Sequence, residues 1–372
     1  MPGKDQIRGE AARLQAEFRE AGAIPVDPGI LQPAEALLDL YGEDIRARAY
    51  VTADPLMGEQ MLRPDFTVPV VQCHVASDTS GETRYCYAGE VFRRQETAEP
   101  GRDNEYFQAG IEIFDAADPA AAEAELFVLF SRLLAPLRLR AALGDIGLLT
   151  AAVGGLDTTA ARKTALMRHI WRPRRFRALL DRYAGRKPVP PARKALLGRL
   201  ETEAPEEIIA AEGLVIGLRE PAEIVARMRT LQEDAATPPI AAWQVELIDD
   251  LLDIRETPWN ALTRLRDIAV DLPALDPALD RLQRRLDAMT KRGVDLSAVE
   301  FDTSHGRSTM EYYDGFVFGF YAPGRPHLPP VALGGRYDAL TRVLGQGRDI
   351  PAVGGMIRPG LMLALSDGEA LA

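Results

Sequence analysis

Asp65 and Thr67 are the first pair of residues that could bind a small polar molecule. They lie in the segment 62–67 (Leu-Arg-Pro-Asp-Phe-Thr), which precedes an apolar helical stretch that begins near Val68. Residues two positions apart in an extended segment point to the same side, so the carboxylate and the hydroxyl could together hold an ammonium group. Alternatively, one of the two side chains simply caps the helix that follows, and the local sequence alone favours this cap.

A second group of polar residues lies in two strand-like runs, 83–93 and 106–114. A polar loop containing Pro-Gly separates the runs, which predicts a long antiparallel hairpin. Arg93 lies where the first run enters the loop and could bind a carboxylate or a phosphate with two parallel hydrogen bonds. Gln108 and Glu112 are four positions apart, so both point to one face and could hydrogen-bond a polar ligand. The alternative is a solvated sheet face with ordinary cross-strand pairs.

The adjacent tyrosines Tyr312 and Tyr313 form a third group, just before the strand-like run 316–321. Neighbouring residues of a strand point to opposite faces, so we expect one ring to pack and the other to offer its hydroxyl to a site. The alternative is that both rings pack in the core.

Gly334 and Gly335 precede Arg-Tyr-Asp and a helical pattern at 339–344. They predict a tight turn between a strand and a helix, in which positive φ and a close approach of the backbone to a ligand are possible. A plain strand-to-helix turn would have the same sequence.

Other kinds of site have little support in the sequence. The four histidines lack Ser or Cys partners at a recognisable spacing, and there is no Gly-rich phosphate loop or paired-His metal motif. The two cysteines are too few for a disulfide framework. The arginine-rich run 172–177 is either a phosphate patch or, more commonly, a solvated helix face.

Composition and charge describe an ordinary globular protein. The 372 residues include 44 Lys and Arg against 55 Asp and Glu, and the resulting net charge of -11 opposes binding to nucleic acid. No apolar leader or membrane-spanning stretch is evident, so we expect a cytoplasmic protein that binds neither membrane nor nucleic acid.

The order of predicted elements indicates how these groups are positioned. Strand patterns up to about residue 155 give way to an Arg-, Ala- and Leu-rich helical region, and strands return after residue 292. This order predicts an α+β fold, an antiparallel sheet flanked by helices, with a core formed by 1–155 and 293–372 and a helical insertion at 156–292.

Taken in order, these groups resemble the motifs of histidyl-tRNA synthetase, a class II aminoacyl-tRNA synthetase. The segment 62–67 looks like its Leu-Arg-Pro-Glu-x-Thr element, the hairpin looks like its motif 2, and Tyr312-Tyr313 looks like its Tyr-Tyr element. The segments 334–338 and 351–354 look like its approach to motif 3. The resemblance covers about residues 25–363 apart from the insertion, and it implies the class II fold.

The resemblance also implies roles for seven residues. In histidyl-tRNA synthetases, the residues that correspond to Asp65, Thr67, Gln108, Glu112, Tyr312 and Tyr313 contact bound histidine, and the one that corresponds to Arg93 binds the α-phosphate of ATP. We therefore take these seven as the candidate histidine-binding set, with Asp65 in place of a glutamate. No catalytic residue, metal or cofactor is expected.

Three departures from the family pattern affect the nucleotide side. The motif 3 arginine corresponds to Leu361, with Arg358 three residues earlier on another helix face. The catalytic arginine before the Tyr-Tyr element corresponds to Ser308, with Arg307 one residue out of register. Gln95 stands for the motif 2 glutamate, and the loop after it is one residue longer. Because adenylation depends on neutralising phosphate charge, we expect the chain not to catalyse it.

The chain also ends at residue 372, which leaves no room for the anticodon-binding domain of the synthetases. Together with the acidic charge, these departures make it similar to the regulatory subunits of ATP phosphoribosyltransferase. That resemblance implies no catalysis, a homodimer within a hetero-oligomer, a short-form catalytic subunit as partner, and feedback by histidine in histidine biosynthesis. The alternatives are a histidyl-tRNA synthetase that uses Arg358 and Arg307 in shifted geometry, and a stand-alone histidine sensor.

Overall fold

A nine-stranded sheet forms the centre of the protein. The computed structural model describes residues 2–34, 47–77, 79, 81–95, 102–213, 217–307 and 312–366. The strand order is β1-β5-β6-β12-β11-β10-β7-β9-β8, and all neighbours are antiparallel except the pairs β1–β5 and β7–β9. A second sheet has the order β2-β4-β3. The predicted α+β fold with a mainly antiparallel sheet is confirmed. The strands are β1 (Ile24–Pro25), β2 (Leu31–Pro33), β3 (Val51–Asp54), β4 (Gly58–Leu62), β5 (Thr83–Phe92), β6 (Glu105–Phe114), β7 (Arg140–Asp145), β8 (Arg255–Glu256), β9 (Glu300–Asp302), β10 (Phe316–Tyr321), β11 (Ala332–Arg336) and β12 (Ala352–Ile357).

Fourteen α-helices are found among the described residues. No described helix has the length and apolar character needed to cross a bilayer. The helices are α1 (Lys4–Glu20), α2 (Thr67–Ala76), α3 (Pro119–Leu134), α4 (Ile146–Gly155), α5 (Ala160–Met167), α6 (Pro173–Tyr183), α7 (Pro191–Leu200), α8 (Pro205–Ala211), α9 (Pro221–Ala236), α10 (Ala242–Leu252), α11 (Pro258–Asp271), α12 (Asp276–Lys291), α13 (Asp338–Leu344) and α14 (Pro359–Ser366).

The predicted hairpin is confirmed as the longest strand pair of the sheet. Strands β5 and β6 pair in antiparallel register from Thr83 opposite Phe114 to Phe92 opposite Glu105. Strand β12 pairs with the other edge of β6, which places β6 inside the sheet. Because both neighbours bond to its backbone, β6 offers a rigid support for the side chains it carries.

The pair Asp118-Pro119 in the sequence predicts a helix start, and α3 begins there. The Asp118 carboxylate accepts hydrogen bonds from the amides of Ala120 and Ala121, and Pro119 occupies the first turn, where no amide hydrogen is needed. The helix packs its apolar side against β10 through Phe127 and Phe130, whose rings contact Phe318. The residues 34–40 also have a helical pattern, and this predicted helix lies largely outside the described residues.

Among the described residues of the predicted insertion at 156–292, the regular elements are helices apart from the two-residue strand β8. Its last helix, α12, packs against α3, and the contact contains a buried ion pair in which Arg285 lies 2.5 Å from Glu123 and 2.9 Å from Asp145. The end of this region is therefore joined to the sheet's own helix layer. The division into 1–155, 156–292 and 293–372 stays a prediction.

Candidate functional site

A cavity of about 280 Å³ lies beside β6 and β12, where the hairpin, the loop before α2 and the segment before β10 meet. We call it the central cavity. It brings together six of the seven predicted residues: Asp65, Thr67, Arg93, Gln108, Tyr312 and Tyr313. The seventh, Glu112, does not line the cavity and lies behind Thr67. The other lining residues are Arg48, Tyr87, Gln95, Arg102, Asp103, Tyr106, Pro329, Pro330, Leu333, Gly355, Met356 and Arg358.

Glu112 is a buried carboxylate that holds three hydroxyl groups. Thr67 Oγ1 and Tyr87 Oη donate to its Oε1 at 2.9 and 3.1 Å, and Tyr337 Oη donates to its Oε2 at 2.6 Å. Burial raises the pKa of Glu112 to about 7, although the three hydrogen bonds act in the opposite direction. The carboxylate therefore fixes the hydroxyls of Thr67 and Tyr87, which face the cavity.

Gln108 provides a polar group with no internal partner. Its side chain is only 1% exposed, and neither Oε1 nor Nε2 has a hydrogen-bond partner among the described residues. Buried amides are almost always hydrogen-bonded, so an amide in this state on a cavity wall is available to a polar ligand. The alternative of a solvated sheet face is wrong, because Gln108 and Glu112 are both buried.

Asp65 and Arg93 form a buried pair of opposite charges. Arg93 Nε donates to the carbonyl of Pro64 at 2.7 Å, and its Nη2 lies 3.8 Å from Asp65 Oδ2. Tyr312 Oη donates to the same carboxylate oxygen at 3.5 Å. Arg93 and Tyr312 thus help to hold the Asp65 carboxylate on the cavity wall.

The helix-capping alternative for Asp65 and Thr67 is also wrong. The N-cap residue of α2 is Phe66, and no side chain caps the helix. The loop is instead held by Arg63, whose Nε and Nη1 donate to the carbonyls of Glu90 and Pro28 at 2.9 and 2.5 Å. The Arg63 guanidinium also stacks on the Phe66 ring at 4.0 Å. A buried arginine thus positions Asp65 for the cavity.

Tyr312 and Tyr313 do not point to opposite faces, so that expectation is wrong. They precede β10, outside the regular strand, and both buried rings line the central cavity with centroids 5.0 Å apart. Trp171 Nε1 donates to the carbonyl of Tyr313 at 3.0 Å, so the segment 156–292 touches the tyrosine pair directly.

The expected glycine turn is wrong as well. Gly334 and Gly335 lie inside β11, and neither has a positive φ. A Cβ on Gly335 would come within 2.7 Å of the Tyr313 ring, so this glycine makes room for an aromatic side chain. Gly354 on β12 has a similar role, because a Cβ there would lie 1.5 Å from Glu112 Oε2.

Four arginines line the central cavity: Arg48, Arg93, Arg102 and Arg358. Arg358 stacks on the Tyr106 ring at 4.9 Å, and burial lowers the pKa of its guanidinium. The central cavity thus holds more positive charge than the motifs in the sequence predict. Arg307 takes no part, since its Nε donates to the carbonyl of Ile170 at 2.9 Å.

The two positions at which the family has arginines and this sequence does not, Leu361 and Ser308, are not found in the central cavity among the described residues. Leu361 faces a separate groove beside α1 and does not line the central cavity. Ser308 lies outside the described residues.

Tyr87, Arg48 and the Tyr337 hydroxyl belong to the site but not to the residues that the sequence predicts for it. The pairing of Tyr87 with Gly110, between Gln108 and Glu112 on the opposite strand, is the signal that could have identified it. Arg48 stands in no recognisable pattern, and it reaches the cavity only through the fold.

Comparison with known proteins supports the sequence resemblance. The histidyl-tRNA synthetase family model matches residues 4–260 and 228–359. The ATP phosphoribosyltransferase regulatory subunit of Brucella anthropi is 32% identical over 358 residues, with 92% of each chain covered. That of Agrobacterium fabrum is 33% identical over 360 residues, which cover 92% of this chain and 93% of the relative.

Solved structures show the same fold. A Bacillus halodurans protein, described as an ATP phosphoribosyltransferase regulatory subunit/histidyl-tRNA synthetase, matches with a TM-score of 0.67 and 19% identity over 97% of this chain and 79% of its own. A histidine–tRNA ligase subunit from Alicyclobacillus acidocaldarius matches with a TM-score of 0.59 and 22% identity, over 99% and 96% of the two chains. The class II synthetase fold is thereby confirmed.

Proposed function

The chain belongs to the family of ATP phosphoribosyltransferase regulatory subunits, and from that membership we propose that it is the non-catalytic partner of a short-form catalytic subunit in the first step of histidine biosynthesis. The observation that carries this function is similarity over 92% of the chain to relatives of that name. The phosphoribosyl transfer to ATP would take place on the catalytic subunit, and this chain would hold that subunit in its active arrangement.

Turnover of the catalytic subunit tests this function. We expect the short-form subunit alone to be slow and the reconstituted complex to be faster. Equal rates with and without this chain would refute activation. Failure of the two chains to co-purify would favour the stand-alone histidine sensor.

We further propose that the central cavity binds L-histidine as the feedback signal. The free amide of Gln108, the Asp65 carboxylate and the hydroxyls of Thr67 and Tyr87 can meet the ammonium and imidazole groups of the amino acid. The arginines on the other side of the cavity suit its carboxylate. Histidine would shift the complex by binding active and inhibited states unequally, a coupling of about 1–3 kcal/mol.

Calorimetric titration of histidine into the isolated chain tests this site. Gln108→Ala should weaken binding at least about tenfold, because a hydrogen bond to a charged ligand group contributes about 1.5–3 kcal/mol. Gln60→Ala is the matched control, since Gln60 is also buried and does not line the cavity. Binding that survives Gln108→Ala unchanged would place the effector in another site.

The proposed homodimer rests on an exposed apolar surface. The strand β1 and the small sheet β2-β4-β3 with its turn expose several large aliphatic side chains, and exposed apolar residues of this kind are common at association sites. We expect Leu31→Glu to convert a dimer to a monomer in sedimentation experiments. Val270→Glu, at an exposed apolar position on α11, should leave the dimer intact. The exposed residues are Ile24, Ile30, Leu31, Val51, Leu56 and Met57.

The alternative that the chain is a histidyl-tRNA synthetase is favoured by one observation, the four arginines that line the central cavity. Histidine-dependent exchange of pyrophosphate into ATP separates the two functions. Exchange by the purified chain would support the enzyme and refute the regulator. We also propose a cytoplasmic location, as suits a subunit of a biosynthetic enzyme.

A further inference from the structure

We propose that the helical region contains a binding site for a small phosphate-bearing anion, separate from the central cavity and independent of the proposed regulatory function. A cavity of about 230 Å³ lies between α5, α6, α7 and α9. We call it the arginine cavity. Five arginines line it against one aspartate, an excess of four positive charges. The charged residues are Arg162, Arg168, Arg182, Arg193, Arg227 and Asp234.

The single aspartate is already occupied. Arg162 Nε donates to Asp234 Oδ1 at 2.5 Å, and Arg193 Nη2 donates to Asp234 Oδ2. The remaining nitrogens of Arg162 donate to backbone carbonyls, at 2.7 Å for Pro238 and 3.2 Å for Thr237. Arg162 therefore has its side-chain donors occupied within the protein, and Asp234, which is bonded to Arg162 and Arg193, cannot neutralise Arg168, Arg182 and Arg227.

The remaining arginines keep unused donors. The Nε atoms of Arg182 and Arg193 are buried and have no hydrogen-bond partner among the described residues. Arg168 and Arg227 are exposed, and neither pairs with a carboxylate in the described part of the chain. Unmatched guanidinium groups repel one another, so this arrangement is stabilised by an anion that enters between them.

The geometry favours phosphate over carboxylate. A planar carboxylate is satisfied by one guanidinium that makes two parallel hydrogen bonds. Here the donors come from four different helices, and a tetrahedral oxyanion with two or more charges can meet all of them. The volume is sufficient for one phosphate or a diphosphate group. The run 172–177 that attracts attention in the sequence does not line this cavity, and its Arg177 is paired with Asp249.

Titration calorimetry at constant ionic strength tests the proposal, with inorganic phosphate and pyrophosphate as probes. The full chain should bind at least one of them saturably, with one ion per chain. The double variant Arg168→Gln/Arg227→Gln should bind at least about tenfold more weakly. Both positions are exposed, so the variant should remain folded.

The control removes the same charge from nearby positions. Arg174→Gln/Arg229→Gln changes exposed arginines on α6 and α9 that do not line the cavity, and it should bind like the wild type. Absence of saturable binding of both probes would overturn the proposal. So would binding that the Arg168/Arg227 variant leaves unchanged, because the anion would then occupy a site other than the arginine cavity.

Discussion

The substitution Glu112→Gln should change how the free energy of unfolding depends on pH. The folded protein raises the pKa of Glu112 from 4.5 to about 7, chiefly because the carboxylate is buried. The folded chain thus binds this proton more tightly than the unfolded chain does. The stabilisation is fully present below pH 4.5 and is lost as the pH rises through 7.

The size of the effect follows from the same two values. The gap between 4.5 and about 7 corresponds to about 3 kcal/mol, of which about 2.5 kcal/mol is lost between pH 5 and pH 8. The glutamine side chain of Glu112→Gln cannot ionise. Between pH 5 and pH 8, the free energy of unfolding of this variant should therefore fall about 2.5 kcal/mol less than that of the wild type. Asp314, whose pKa burial also raises to about 7, contributes equally to both proteins and cancels in the comparison.

Urea unfolding at pH 5, 6, 7 and 8 provides the measurement. Glu233→Gln is the control, because it removes an exposed carboxylate, and its curve should run parallel to that of the wild type. If the curves of Glu112→Gln and the wild type are parallel as well, the carboxylate is ionised in both states and the assignment of its environment is wrong.

Two further substitutions test packing, one beside the central cavity and one at the ion pair between α12 and α3. Gly354→Ala places a methyl group against Glu112 Oε2, so in urea titrations it should cost about 1–3 kcal/mol of stability, and it should also weaken the proposed histidine binding. Gly198→Ala, in open space on α7, is the control and should stabilise the protein by about 0.5–1 kcal/mol. Arg285→Met leaves the buried carboxylates of Glu123 and Asp145 without the cation that they share, so it should lower the free energy of unfolding by about 3–5 kcal/mol. Arg284→Met, at an exposed position on the same helix, should change the free energy of unfolding by less than about 0.5 kcal/mol. A small loss for Arg285→Met would mean that the carboxylates find other partners.

Local patterns predicted the elements whose stability is local. The hairpin β5–β6 has strand-forming residues on both sides of a polar loop, and α3 begins at Asp118-Pro119, so neighbouring residues specify both. The residues of the candidate site could be predicted for a different reason. Asp65, Thr67, Gln108 and the tyrosine pair match an ordered set of motifs, and the fold brings them to one cavity.

Features that depend on distant contacts could not be predicted in this way. Gly335 looks like a turn residue, yet its lack of a side chain is needed because the Tyr313 ring packs against β11. The two tyrosines face the same cavity because they precede the strand, and strand alternation does not apply there. Arg48 belongs to no motif and reaches the central cavity only through the fold. The arginines in the motifs therefore account for only part of the positive charge of the cavity.

The wide separation of the cavity's parts along the chain has a consequence for synthesis on the ribosome. The bond between Tyr337 and Glu112 spans 225 residues, and that between Tyr312 and Asp65 spans 247. A nascent chain that has emerged only as far as α12 has none of the hydroxyls that these two tyrosines supply. The lining of the central cavity is therefore completed late, only after most of the described helices have been translated.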